Sequence, residues 1–200
     1  MRSRLLLASR SPRRRQLLKD AGLDFGVVVP AVVESDTRRL SIRELTTLNA
    51  MRKALAVARE HGEAVVLGAD TLVALDGNLI GKPADLAEAV AILRRLSGRQ
   101  HDVCTSVFIA RFAGCESISF YVMSRVQFRS LGADEIRAYL RKVNPLDKAG
   151  AYAAQGHRRE IIERIRGSYT NVVGLPMDET LRALRRFGIE PRRPAVDAPA

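Results

Sequence analysis

Residues 64–83 read AVVLGADTLVALDGNLIGKP. Ala64 to Gly68 is a short apolar run bounded by polar punctuation, the pattern of a buried strand, and it ends at Ala69-Asp70-Thr71. Thr71 to Leu75 and Leu79-Ile80 flank Asp76-Gly77, a pair that accepts positive φ, so a hairpin is expected after the strand. Gly81-Lys82-Pro83 closes that hairpin with a lysine held between two backbone punctuators. A carboxylate at a strand end and a lysine of fixed direction need partners from the rest of the chain.

Working outward, Arg4 to Ser9 (RLLLAS) reads as another short buried strand. Ser11-Pro12 then opens a helix to about Ala21, with Ser as N-cap, Pro suited to the first helical position and Gly22 as the stop. Asp24 to Val29 reads as a strand. Ser41 to His61 is an amphipathic helix with a capping-box pair, Ser41 and Glu44, and Gly62 just past its end. Ala84 to Leu96 is a further helix, stopped by Gly98. The long β-like stretches His101–Phe112 and Ser117–Phe128, joined around Gly114, are expected to pair antiparallel. Asp134 to Val143 reads as helix, Ile161 to Ile165 as strand, and Pro176 to Phe187 as a last helix ended by Gly188. Strands alternating with helices, with one antiparallel excursion, predict the α/β class: a mixed central β-sheet flanked by helices, in one domain over residues 1–189. The Pro, Arg and Ala composition of residues 190–200 predicts a frayed tail without chemistry.

Bulk properties narrow the function. With 200 residues, 46% of them hydrophobic, the chain can bury a real core. Thirty-three Lys plus Arg against 22 Asp plus Glu give a net charge of +11, which points to anionic partners without choosing among them. The pairs Arg94-Arg95, Arg185-Arg186 and Arg192-Arg193 read as solvated surface. Only 5% of residues are aromatic and Trp is absent, so a stacking platform for nucleic acid is poorly supplied. No apolar run approaches the roughly 20 residues that span a bilayer, which argues against a membrane partner. Leu5 to Ala8, after Arg2 and Arg4, is too short for a signal peptide, so a cytoplasmic location is expected. Cys104 and Cys115 lie within β-like stretches at a spacing that fits no zinc motif and read as reduced thiols.

Several segments carry candidate chemistry. Ala8 to Arg15 (ASRSPRRR) joins a strand to a helix N-terminus, where free backbone N–H groups already favour an anion. Arginines there are unfavourable for the helix dipole, and they can clamp phosphate bidentately. An exposed basic helix start is the plain alternative. Asp70 could hold a metal, activate water or cap a turn; Thr71 beside it can donate or accept a hydrogen bond. Lys82 belongs to no GxxxxGK[ST] sequence, so a P-loop enzyme is excluded. Glu34 and Asp36, in a polar loop, can supply oxygens to a metal. Residues 145–156 (PLDKAGAYAAQG) combine small residues that admit a ligand's close approach with Lys148 and Gln155, whose amide can read a base edge.

Together these segments resemble the Maf family. The resemblance rests on ASRSPRR at 8–14, LGADT at 67–71, GKP at 81–83, LRRLSGR at 93–99, PLDKAGAYAAQG at 145–156 and SYTNVVGLP at 168–176, in the family's order across residues 4–187. It implies a fold similar to inosine-triphosphate pyrophosphatases, a homodimer, and hydrolysis of a nucleoside triphosphate to monophosphate and pyrophosphate. It also implies a divalent metal cofactor: Mg²⁺, with Mn²⁺ or Co²⁺ as alternatives. Carried over by position, Asp70 matches the family's proton acceptor, and Arg13, Thr71 and Gln155 its substrate-discriminating positions. Ser9, Arg14, Glu34, Lys53 and Lys82 match its polar pocket, with Lys148 joining the substrate contacts and Glu34 and Asp70 the metal ligands. The form of residues 145–156 resembles the branch acting on dTTP and UTP. One departure stands out, since His157-Arg158-Arg159-Glu160 replaces the small and apolar residues usual after Gly156.

Two other readings compete. The net charge suits a non-enzymatic nucleic-acid-binding or division-regulating protein, and the same fold could serve a pyrophosphatase for inosine or 7-methylguanosine triphosphates.

Overall fold

The computed structural model describes residues 4–37 and 39–192. The chain opens with β1 (Leu5–Ala8), buried throughout. Ser11 caps α1 (Pro12–Asp20): its hydroxyl accepts from the Arg14 N–H, and Pro12 sits where a missing N–H costs nothing. After β2 (Gly26–Val28), an irregular loop leads to α2 (Ile42–Glu60), where Ser41 and Glu44 exchange the expected capping-box bonds. Then come β3 (Val65–Leu75), β4 (Asn78–Ile80), α3 (Leu86–Leu96), β5 (Gln100–Arg111) and β6 (Glu116–Phe128). The chain continues through α4 (Ala133–Leu140), a 3₁₀ turn (Ala149–Ala151), α5 (Arg158–Ile161), β7 (Ile162–Arg166), α6 (Tyr169–Val173) and α7 (Met177–Arg185).

Seven strands form one sheet in the order β2-β1-β3-β5-β6-β7, with β4 paired to β3. β1 runs parallel to β2 and β3, and the remaining pairs are antiparallel. This is the mixed-sheet α/β architecture that the alternation of elements predicts. The period-2 alternation of a strand divides β3 between two cores. Val65, Leu67, Ala69 and Val73 join the larger cluster with α1, α3, α4, α6 and α7, while Val66 packs with Ala54, Val57 and Ala58 of α2.

Gly68 sets the height of α2 above the sheet. A Cβ there would lie 2.4 Å from the Ala50 carbonyl oxygen and 2.8 Å from the Ala54 nitrogen, so only glycine lets the helix backbone come this close. That approach brings the polar residues of α2 down onto the next inward-facing position of β3, which is Asp70.

The structure revises several expectations. Asp70 is not at a strand end, because β3 continues unbroken to Leu75. Antiparallel partners on β5 hold it through the polar pair, with Asp70 opposite Ser106 and Thr71 opposite Thr105. On the other edge β1 stops at Ala8, opposite Gly68, and β4 begins pairing at Val73. Ala69 to Leu72 therefore face a gap between two neighbouring strands. Cys115 lies in the turn between β5 and β6, with φ 49°, and not in a strand. The 3₁₀ turn, α5 and α6 are too short to show a helical period in sequence. Of the expected tail, Arg192 is tied down: its N–H donates to the Gly22 carbonyl at 2.8 Å and its guanidinium pairs with Asp24 at 2.5 Å. Residues 193–200, Arg193 among them, lie outside the described residues, as do Met1 to Ser3 and Arg38.

Candidate active site

A cavity of about 990 Å³ opens over the gap in the β3 edge. Its walls come from the β1–α1 connection (Ser9 to Arg14), the β2–α2 loop (Glu34, Ser35, Asp36), α2 (Asn49, Lys53), β3 (Asp70 to Val73), Lys82, and the segment Asp147 to Ala154. Of the residues singled out in the sequence, Ser9, Arg13, Arg14, Glu34, Lys53, Asp70, Thr71, Lys82 and Lys148 all line it. Gln155 does not. It is half-buried on the loop just beyond Ala154, which does line the cavity.

At the floor, Lys53 joins two carboxylates. Its ammonium lies 2.7 Å from Asp70 Oδ1 and 2.7 Å from Glu34 Oε1. Asn49, one helical turn earlier on the same face of α2, donates to Asp70 Oδ2 at 3.3 Å, so both carboxylate oxygens of Asp70 are engaged. Asp70 and Lys53 are only 5% and 7% exposed. Burial pushes the Glu34 carboxyl up, but the attraction and hydrogen bond of Lys53, with Lys82 and Arg14 beyond, hold it below its ordinary value. Lys82 is looser: its side chain is half exposed and stands 3.7 Å from Glu34.

Arg14, expected among the phosphate contacts, lines the cavity and is also bonded within the protein. Nε donates to the Gly174 carbonyl (2.8 Å), one terminal nitrogen to the Ala69 carbonyl (2.9 Å) and Ser9 Oγ (3.4 Å), the other to Thr71 Oγ1 (2.9 Å). The Ala69 carbonyl lies in the stretch of β3 that neither β1 nor β4 reaches, so Arg14 supplies a donor where a strand is missing. Burial lowers its pKa from the usual arginine value, while Asp70 and Glu34 oppose that shift. Arg14 is thus a buried cross-brace among α1, β3 and the turn after α6, and it adds fixed positive charge behind Asp70. Thr71 is drawn into the same brace, bonded to Thr105 Oγ1 at 2.9 Å as well as to Arg14.

The rim carries mobile-length cations. Arg13 donates to Asp147 Oδ2 at 3.0 Å and Lys148 pairs with the same carboxylate. Burial raises the Asp147 carboxyl, and the bonds from Lys148 and Arg13 more than reverse this, leaving it below its ordinary value. The departure at residues 157–160 stays clear of the cavity, forming a surface cluster in which Glu160 pairs with His157 (2.8 Å) and Lys142 (2.9 Å). Asn49 and Thr105 were missed in the sequence. The signal for Asn49 was its spacing of four from Lys53 on one helical face. Among the described residues, no three His, Cys, Asp or Glu side chains gather at one point, and no helix is long and apolar enough to cross a membrane.

A mixed-sheet α/β protein with cations ranged round a buried, doubly held carboxylate is built for a polyanionic ligand. The chain belongs to the Maf-like protein family, whose model matches residues 4–187. It is 46% identical over 184 residues to a dTTP/UTP pyrophosphatase of Symbiobacterium thermophilum, covering 92% of this chain and 94% of that one. It is 44% identical over 184 residues to a protein of the same name from Akkermansia muciniphila, covering 92% and 96%. A third such protein, from Bacillus velezensis, is 43% identical over 190 residues, covering 95% and 100%. A solved HAM1 protein from Coxiella burnetii aligns with a TM-score of 0.46 at 18% identity, over 63% of this chain and 73% of that one.

Proposed function

We propose that this protein hydrolyses dTTP and UTP to the nucleoside monophosphate and pyrophosphate. The observation that carries the reading is Asp70, buried on the cavity floor with Lys53 and Asn49 on its two oxygens, in a chain whose relatives are named for this activity. Water attacks the α-phosphorus, the bond from that phosphorus to the bridging oxygen breaks, and pyrophosphate leaves. Asp70 orients the water and takes its proton. Lys53 balances the charge of Asp70 and Glu34, and Arg13, Lys82 and Lys148 swing from their carboxylate partners onto phosphate oxygens, where cations count most in a dry site.

The residues fit a divalent cation. Two carboxylate oxygens, from Glu34 and Asp70, converge on a single ammonium at 2.7 Å each, and hard oxygen donors of this kind would suit a cation such as Mg²⁺. Glu34 and Asp70 would hold it, and when bound it supplies positive charge to the phosphate oxygens. The apolar part of the wall, with Leu72, Val73, Tyr152 and Val172, offers a surface for the base. The same reading carries a cytoplasmic location, where nucleotides are met and the free thiols of Cys104 and Cys115 stay reduced, and a homodimer.

Hydrolysis in ¹⁸O-labelled water with Mg²⁺ tests the bond that is cut. Label in the monophosphate is expected. Label in pyrophosphate, or release of inorganic phosphate with a nucleoside diphosphate, would overturn the proposal.

A further inference from the structure

We infer that Asn49 is a positioning residue that couples the β2–α2 loop to Asp70. The inference deepens the hydrolase reading and rests on it for its kinetic part. Asn49 is 3% exposed, and its amide makes three bonds: Oδ1 accepts from the Ser35 N–H at 2.8 Å, while Nδ2 donates to the Ser35 carbonyl at 3.0 Å and to Asp70 Oδ2 at 3.3 Å. The orientation of the amide follows from these partners, since a flipped head would set its oxygen against two acceptors and its nitrogen against a donor. One side chain therefore holds both the N–H and the C=O of Ser35 and one oxygen of Asp70.

Ser35 stands between Glu34 and Asp36, and all three line the cavity. This clasp and the ion pairs of Glu34 with Lys53 and Lys82 tether residues 29–37 to α2 and to the segment after β4. Loss of Asn49 leaves Asp70 held on one oxygen only and leaves the loop that carries Glu34 tied by that residue's ion pairs with Lys53 and Lys82. Binding of the triphosphate by the rim cations is untouched, so the effect falls on turnover and on metal use and not on nucleotide affinity.

The test uses the full chain with Asn49→Leu, which keeps the volume, and Asn49→Asp, which keeps the acceptor for Ser35 but loses both donors. Each should lower kcat on dTTP by about tenfold or more, with KM within about twofold and a higher half-saturating Mg²⁺ concentration. Two readouts need no turnover. Amide hydrogen exchange across residues 29–37 should quicken by about tenfold in Asn49→Leu while β3 stays protected. The Asn49 side-chain ¹⁵N–H signal, assigned by its loss in Asn49→Leu, should shift in Asp70→Ala. If wild type cleaves no nucleoside triphosphate, the hydrolase reading fails and these two readouts still decide the coupling. Unchanged loop exchange with an unmoved side-chain signal would overturn it, as would kcat within about twofold of wild type in both variants of an active enzyme.

Discussion

Lys53→Met removes the cation between two carboxylates while keeping most of the side-chain volume. Lys53 and Asp70 are both nearly buried and 2.7 Å apart, so the variant strands Asp70 with Asn49 as its one near partner. Breaking a buried ion pair from one side costs about 3–5 kcal/mol. The distant positive charge of Arg14 and the remaining Asn49 bond favour the lower end, about 3 kcal/mol, or a fall in Tm of roughly 6–12 °C for a chain of this size. Removing both charges, in Lys53→Met with Asp70→Asn, should recover about 2 kcal/mol of that loss, since no buried carboxylate is left uncompensated at that position. Lys82→Met serves as the control: it faces the same Glu34 at 3.7 Å from a half-exposed position, and about 0–1 kcal/mol is expected. Thermal unfolding followed by circular dichroism and calorimetry reads all five proteins, wild type and Asp70→Asn alone included. A Lys53→Met loss below about 1 kcal/mol, or a double variant no more stable than the additive sum of the singles, would refute the picture of Lys53 as the buried counter-ion of Asp70.

Four further variants have expected outcomes. His101 is buried against Phe128 and Tyr152, and desolvation pushes its pKa down to about 4. The unfolded chain binds this proton below about 6.5 and the folded one does not, so stability falls as pH drops from 6.5 toward 4, by up to about 3 kcal/mol. His101→Phe should flatten Tm against pH in that window; an unchanged slope counts against it. Gly68→Ala forces a Cβ to 2.4 Å from the Ala50 carbonyl oxygen, and it should lower stability by about 3 kcal/mol or more, read by denaturant unfolding; a loss under about 1 kcal/mol would show that α2 can ride higher. Arg14→Lys should unfold more easily by about 2–4 kcal/mol because one ammonium cannot serve the Gly174 and Ala69 carbonyls and Thr71 together. Arg13→Ala, at a more exposed position, should keep its Tm and lose about tenfold to a hundredfold in kcat/KM; the reverse ranking of the two would contradict their assigned roles.

The elements that announced themselves were those with local signals. Ser11-Pro12 and the Ser41–Glu44 pair fixed two helix starts because caps are made within a few residues. The run of β3 past Asp70 could not be read locally, since pairing with β5, some 35 residues on by Asp70↔Ser106, carries the strand through its polar pair. The same division holds in the site. Basic side chains near a helix start and a carboxylate after an apolar run were visible, and the cavity gathers them. How those cations are held was not, because Arg14 is bonded to carbonyls more than 50 residues away in sequence, those of Ala69 and Gly174. Gln155 reads as a base contact from its chemistry, and only the course of the loop after Ala154 places it outside the cavity.

The most direct measurement is pyrophosphate release from a panel of dTTP, UTP, CTP, ATP and GTP with Mg²⁺, by wild type and by Asp70→Asn. Equal amounts of monophosphate and pyrophosphate are expected, fastest from dTTP and UTP, with turnover reduced by at least about a thousandfold in Asp70→Asn, or roughly 4 kcal/mol in barrier, and the fold kept. Activity of Asp70→Asn within about tenfold of wild type, a difference of only about 1.4 kcal/mol, would contradict the central role of Asp70, and faster cleavage of purine triphosphates would contradict the pyrimidine preference.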